Sequence, residues 1–159
     1  MQNQALRLSE ITIVNLRSIR RETFPLSSFT PLIGYNNAGK TNILMGIHWL
    51  LAKISLDISY FDDPSLPVEV IGTFTGLSEE IISRLNEERA NMLHRFVRNG
   101  SFKIRKVQRV PGESPESMRF FVQEAGALGD RGWHPVALVF QEAFARLLPE
   151  PIQMLDFNI

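Results

Sequence analysis

The sequence predicts an α/β fold, a mixed central sheet with a helix against it and a flanking antiparallel β lobe, and three observations predict it. Residues 6–14, 28–33 and 68–74 read as short strands, while 41–54 and 78–97 carry apolar residues at helical spacing. Between the strand at 28–33 and the first helix lies Gly34-Tyr35-Asn36-Asn37-Ala38-Gly39-Lys40-Thr41, so a glycine-bearing loop joins a strand to a helix. The chain has 159 residues, 44% of them hydrophobic and 21% charged, which suits one domain with a sizeable core.

Each element has its own sequence signal. Residues 6–14 alternate apolar and polar through much of their length, as a strand covered on one face does. Residues 15–21 read as a turn and 22–26 as a second short strand, with 28–33 the third. In helix 41–54, Ile43, Leu44, Ile47, Leu50 and Leu51 form a stripe that packs on a sheet; Gly46 costs propensity there and permits close packing. Residues 55–66 are irregular, broken by Asp62-Asp63-Pro64. In the helix at 78–97, Ser78 caps the start, Glu79 and Glu80 favour the first-turn dipole, and Asn99-Gly100 marks the stop. Residues 101–110 and 118–124 form a hairpin, the loop 126–132 follows, and 135–148 is predicted helical, with a further strand at 152–155.

The loop at 34–41 carries the chemistry. It matches G-x-x-x-x-G-K-[ST], the phosphate-binding loop of nucleoside triphosphatases. Gly34 and Gly39 permit backbone angles closed to other residues and let the chain approach phosphates. The amides of residues 36–41 can wrap an oxyanion at the positive end of a helix dipole. Lys40 would bring an ammonium to the β- and γ-phosphates of ATP, and the Thr41 hydroxyl would ligate Mg2+.

Composition excludes several other classes. Lys plus Arg equals Asp plus Glu at 17 each, so no global field attracts nucleic acid, and such contact would need a local patch. Cysteine is absent, which removes disulfides and thiolate metal sites and is compatible with a reducing cytoplasm. No apolar run reaches the ~18 residues of a membrane span, and the N-terminus lacks signal-peptide regions. A cytoplasmic chain without membrane contact is therefore expected.

The order Ile11-Thr12-Ile13-Val14-Asn15-Leu16-Arg17-Ser18-Ile19, two short strands, then Gly34 through Leu44 resembles the N-terminal ATPase region of the OLD-family ATP-dependent endonucleases. It is also similar to the RecF and SMC ATPases of chromosome maintenance and recombination. Residues 6–54 carry the match; 68–74 and 78–97 fit more loosely. The resemblance implies an ABC-type ATPase head of the P-loop NTPase fold, in which ATP lies between one subunit's phosphate loop and another's signature motif. It therefore implies a homo-oligomer or a partner head. By position, Gly34, Asn36, Asn37, Ala38, Gly39, Lys40, Thr41 and Asn42 would surround the phosphates and metal, with Arg17 reaching back from the first turn. A Toprim nuclease domain follows the head in that family, and several members defend against phage.

The departures shape the expectation. No signature motif is evident, and Leu77-Ser78-Glu79-Glu80 shares only two letters with one. Ile152-Gln153-Met154-Leu155-Asp156-Phe157 is a poor Walker B strand, with Gln inside the run and Phe where Glu belongs. The Toprim pattern is missing. Residues 1–159 are thus expected to be the first lobe of a larger ATPase, as a fragment or split product, binding nucleotide weakly and hydrolysing it poorly alone. The competing reading is a stand-alone, catalytically incomplete module that binds nucleotide or partners another protein; a small P-loop kinase fits worse, since no arginine-rich lid follows.

Other candidates have ordinary explanations beside the functional one. Asp62 and Asp63 could help hold the metal or could be turn residues. Gln108 or Gln123 could stand near the family's lid glutamine or simply lie on a strand surface. His48, His94 and His134 have no ligand spacing. Lys103, Arg105 and Arg109 share strand parity and could touch DNA phosphates, or be solvated edge-strand charges.

Overall fold

The structure, a computed structural model, describes residues 6–26 and 37–137. Strands β1 (Arg7–Leu16) and β2 (Ile19–Pro25) form an antiparallel hairpin in which Ile11 faces Phe24 and Leu16 faces Ile19. The chain reverses at Arg17-Ser18, because Asn15 (φ 61) and Arg17 (φ 54) both take the left-handed conformation. That tight reversal is why the second strand starts at Ile19 and not at 22.

Strand β1 also pairs with β3 (Val68–Thr75), with a bulge between Leu8 and Glu10. Then follow β4 (Phe102–Gln108), β5 (Arg119–Gln123) and β6 (Trp133–Pro135). The six strands make one sheet in the order β2-β1-β3-β4-β5-β6, every pair antiparallel. The expected mixed sheet is therefore antiparallel among the described residues; the predicted strands at 28–33 and 152–155 lie outside them. Strand β6 corrects the expected helix start at 135, and positions 138–148 lie outside the described residues.

Helix α1 (Asn37–Leu51) starts four residues earlier than predicted and covers one face of the sheet over β1 and β3. Ile43, Ile47, Trp49 and Leu50 are all buried beneath it. Two glycines set how closely the layers approach. A Cβ at Gly46 would lie 2.8 Å from Ile13 Cδ1, and one at Gly72 would lie 2.7 Å from Leu50 Cδ2. The helix thus drops a gap over an isoleucine of the sheet, and the sheet drops one under a leucine of the helix.

The helix predicted at 78–97 is two helices, α2 (Glu79–Ile82) and α3 (Glu87–Phe96). Ser78 Oγ caps the first by accepting from the Ile81 amide. Asn86 Oδ1 caps the second by accepting from the Arg89 amide, and this second cap is the reason the helix breaks. Asn99 (φ 53) and Gly100 (φ 72) do not terminate α3, which has already ended at Phe96. They form a two-residue reversal closed by reciprocal amide–carbonyl bonds between Arg98 and Ser101, each 2.9 Å. Phe74 and Phe102 stack 5.2 Å apart where β4 joins β3.

Candidate functional site

The first turn of α1 contains Asn37, Gly39 and Lys40 and no acidic residue. The first amides of any α-helix point out of its N-terminus without an intrahelical acceptor, and the aligned peptide dipoles add partial positive charge there. Lys40 is exposed in that turn, and Thr41 is half-buried beside it. Among the described residues, a helix end with an exposed ammonium and no carboxylate in its first turn suits a polyphosphate. The rest of the predicted set, Gly34 and Asn36, lies outside the described residues.

The β1–β2 turn is brought to this helix end. Asn42, buried one residue past Thr41, donates its side-chain amide to Ser18 Oγ at 3.3 Å. Arg17 is therefore the sequence neighbour of the residue that touches Asn42 of α1. Its exposed guanidinium rests over the Tyr60 ring, 5.5 Å from the centroid, and its amide donates to the Tyr60 carbonyl at 2.7 Å.

Asn15 fixes the other side of the turn. Its buried amide nitrogen donates to the carbonyls of Asp63, Leu66 and Pro67 at 2.9, 2.8 and 3.2 Å. Its Oδ1 accepts from the Asp63 amide at 2.7 Å. The Asp62-Asp63-Pro64 segment is thereby turn structure: Asp63 Oδ1 accepts from the Ser65 amide and hydroxyl, which hold its carboxyl below the usual range.

The far end of α1 holds the residue that sequence reasoning missed. Lys106, on the central strand β4, is 1% exposed. Its ammonium donates to the carbonyls of Trp49 and Ala52 at 2.7 and 2.8 Å and lies 4.6 Å from the centroid of a Trp49 ring. A cation at a helix C-terminus meets the negative end of the dipole and the carbonyls that lack intrahelical partners. Burial pulls the Lys106 pKa down to about 7, while those two carbonyls keep hydrogen bonds on its N–H groups. His48, half-buried on the same helix, has its pKa lowered by burial and then by the Lys106 charge. Parity held the signal: Phe102, Ile104, Lys106 and Gln108 share one face of β4, opposite Lys103 and Arg105.

Both candidate glutamines are structural. Buried Gln108 accepts from the Leu56 amide at 2.9 Å and donates to the carbonyls of Leu56 and Val110 at 2.7 and 3.0 Å. Buried Gln123 donates to Gly129 and Arg131 carbonyls at 2.8 and 2.9 Å, tying down the loop after β5. The basic stretch is also divided. Lys103 is exposed, Arg105 pairs with Glu69, and Arg109 lies beyond β4 and clasps Glu113 at 2.6 Å. Arg105 and Arg109 thus carry carboxylate partners. His94 meets Glu79 and His134 meets Glu124. Among the described residues no group of three or more His, Asp or Glu side chains could hold a metal, and no helix is long and apolar enough to cross a membrane.

Residues 7–129 match the AAA ATPase domain family. Over 149 residues the chain is 31% identical to the Old nuclease of Escherichia phage P2, a match covering 94% of this chain and 25% of that protein. The chain thus spans about a quarter of that relative's length.

Proposed function

This chain belongs to the AAA ATPase domain family as an OLD-type ATPase lobe, and on that premise we propose that it binds ATP with Mg2+ at the N-terminal end of α1. In this reading residues 1–159 are part of an ABC-type head of the P-loop NTPase fold. Its nucleotide state gates DNA cleavage or processing by domains outside the chain. The observation that carries the proposal is Lys40, exposed in the first turn of a helix that has no carboxylate there and abuts the Arg17-Ser18 turn.

Each residue has a physical task. Lys40 supplies a compact positive charge for the terminal phosphates, and the first-turn amides supply directional donors. The Thr41 hydroxyl would ligate magnesium, which when bound would spread the charge of the phosphate oxygens. Asn42 ties the helix start to Ser18, and the neighbouring Arg17, whose guanidinium rests over Tyr60, would turn from that ring to reach the phosphates. An oligomer of such heads would complete the site. DNA contact through the β4 face would fall chiefly to Lys103, because Arg105 and Arg109 are paired. DNA repair and defence against phage, in a cytoplasmic setting, are the roles the family resemblance suggests.

The test is an ATP titration of the full protein with and without Lys40→Ala. Loss of one charge-assisted phosphate contact of ~1.5–3 kcal/mol should weaken binding by roughly tenfold to a hundredfold. Equal binding by the two proteins would remove α1 as the site.

A further inference from the structure

We propose that Lys106 is a positioning residue for the nucleotide site: its ammonium, held by the Trp49 and Ala52 carbonyls, fixes the helix whose opposite end presents Lys40 and Thr41. The inference rests on the nucleotide reading of α1. Three features set Lys106 apart from a surface lysine. It is almost fully buried; it sits on β4, an interior strand of the sheet; and both of its hydrogen bonds go to the C-terminal turn of one helix. An uncompensated cation in a core is costly, and a hydrophobic residue would fill the space at lower cost. What the lysine adds is a directional clasp between the sheet and one end of a rod.

That rod is α1, fifteen residues long and therefore about 22 Å from end to end. It is seated by Gly46 over Ile13 and, in its last turn, by Gly72 under Leu50, contacts that set depth. Lys106 fixes the C-terminal end, and the Asn42–Ser18 contact fixes the N-terminal end. A positive charge at the C-terminus also offsets the negative dipole pole, leaving the positive pole to face an anion. Around Lys106 the register partners are Val70 on β3 and Phe120 on β5, both uncharged. His48 on α1 is the titratable group coupled to it, and nearby Lys53 is engaged by Glu116.

The protonated form of Lys106 is the one that bears this charge, and burial brings its titration into the neutral range. Nucleotide affinity should therefore fall as pH rises from 6.5 to 8.5. His48, with its pKa lowered from the usual value, is less protonated than an ordinary histidine across that window.

The experiment measures affinity for ATP with Mg2+ in the full protein at pH 6.5 and 8.5, for the wild type, Lys106→Met, Lys106→Arg and Lys40→Ala. At pH 6.5 Lys106→Met should bind at least fivefold more weakly than the wild type, and Lys106→Arg within about twofold of it. The wild type should lose more affinity than Lys106→Arg between the two pH values, because the arginine variant shares the nucleotide's own titration but not that of residue 106. Wild-type-like binding by Lys106→Met at both pH values would overturn the inference. Should Lys106→Met not fold, the wild-type and Lys106→Arg profiles decide, and parallel profiles overturn it. If Lys40→Ala binds like the wild type, the nucleotide reading itself has failed.

Discussion

Asn15 shows how much one polar side chain can organise. It makes four hydrogen bonds across some fifty residues of chain while holding a left-handed backbone angle that asparagine tolerates better than most residues. Replacing it with alanine leaves the Asp63 amide and three carbonyls without these partners and adds strain at φ 61. Asn15→Ala should therefore destabilise the fold by about 2–4 kcal/mol, read as a lowered urea midpoint with an unchanged slope. The sequence carried only half of this information. An Asn-x-Arg turn was evident, but its partner loop lies 48 residues away, where Asp-Asp-Pro announces a turn and not its acceptor. Lys106 was hidden for a related reason: in a run of Lys103, Arg105, Lys106 and Arg109 the charges draw the eye together, and only strand parity separates the buried one.

At the scale of elements, the strands and α1 were readable because one face of each meets a core and imposes a period on the sequence. The boundaries that shifted did so through local competition. Asn86 intercepts a helix with a fresh cap, and left-handed Arg17 shortens a predicted seven-residue turn to two residues. The antiparallel register was not legible, because the strand order depends on which hydrophobic faces find one another at long range. The α1–sheet contact itself is tuned by missing side chains. Gly72→Ala would drive a methyl to 2.7 Å from Leu50 Cδ2 and 3.0 Å from Leu8 Cδ1. Both neighbours are buried, so the variant should lose about 1–3 kcal/mol despite the better strand entropy of alanine, measured by thermal unfolding. A rise in unfolding temperature would show that the two leucines can move aside.

For the molecule as a whole, buried charge makes stability depend on pH with the same sign as acid unfolding, but in the neutral-to-alkaline range. Lys106 has a folded pKa near 7 against 10.5 for an unperturbed lysine, so the unfolded chain binds more protons between those values. Stability should rise as pH is raised from 7 toward 9.5 and flatten below 7, and Lys106→Met should remove that slope in parallel melts at pH 7 and 9.5. Such a rise in stability alongside a fall in nucleotide affinity would set fold and function in opposition at one residue. The sheet order has a separate bearing on synthesis. Strand β1 must wait for β3, and α1, which lies between them in the chain, is looped out until that pairing closes. At translation speeds of about 5–20 residues per second, the roughly fifty intervening residues take about 3–10 s to emerge. During that interval the first hairpin has one edge without its eventual neighbour, an opening for chaperones or mispairing that ends when β3 leaves the ribosome.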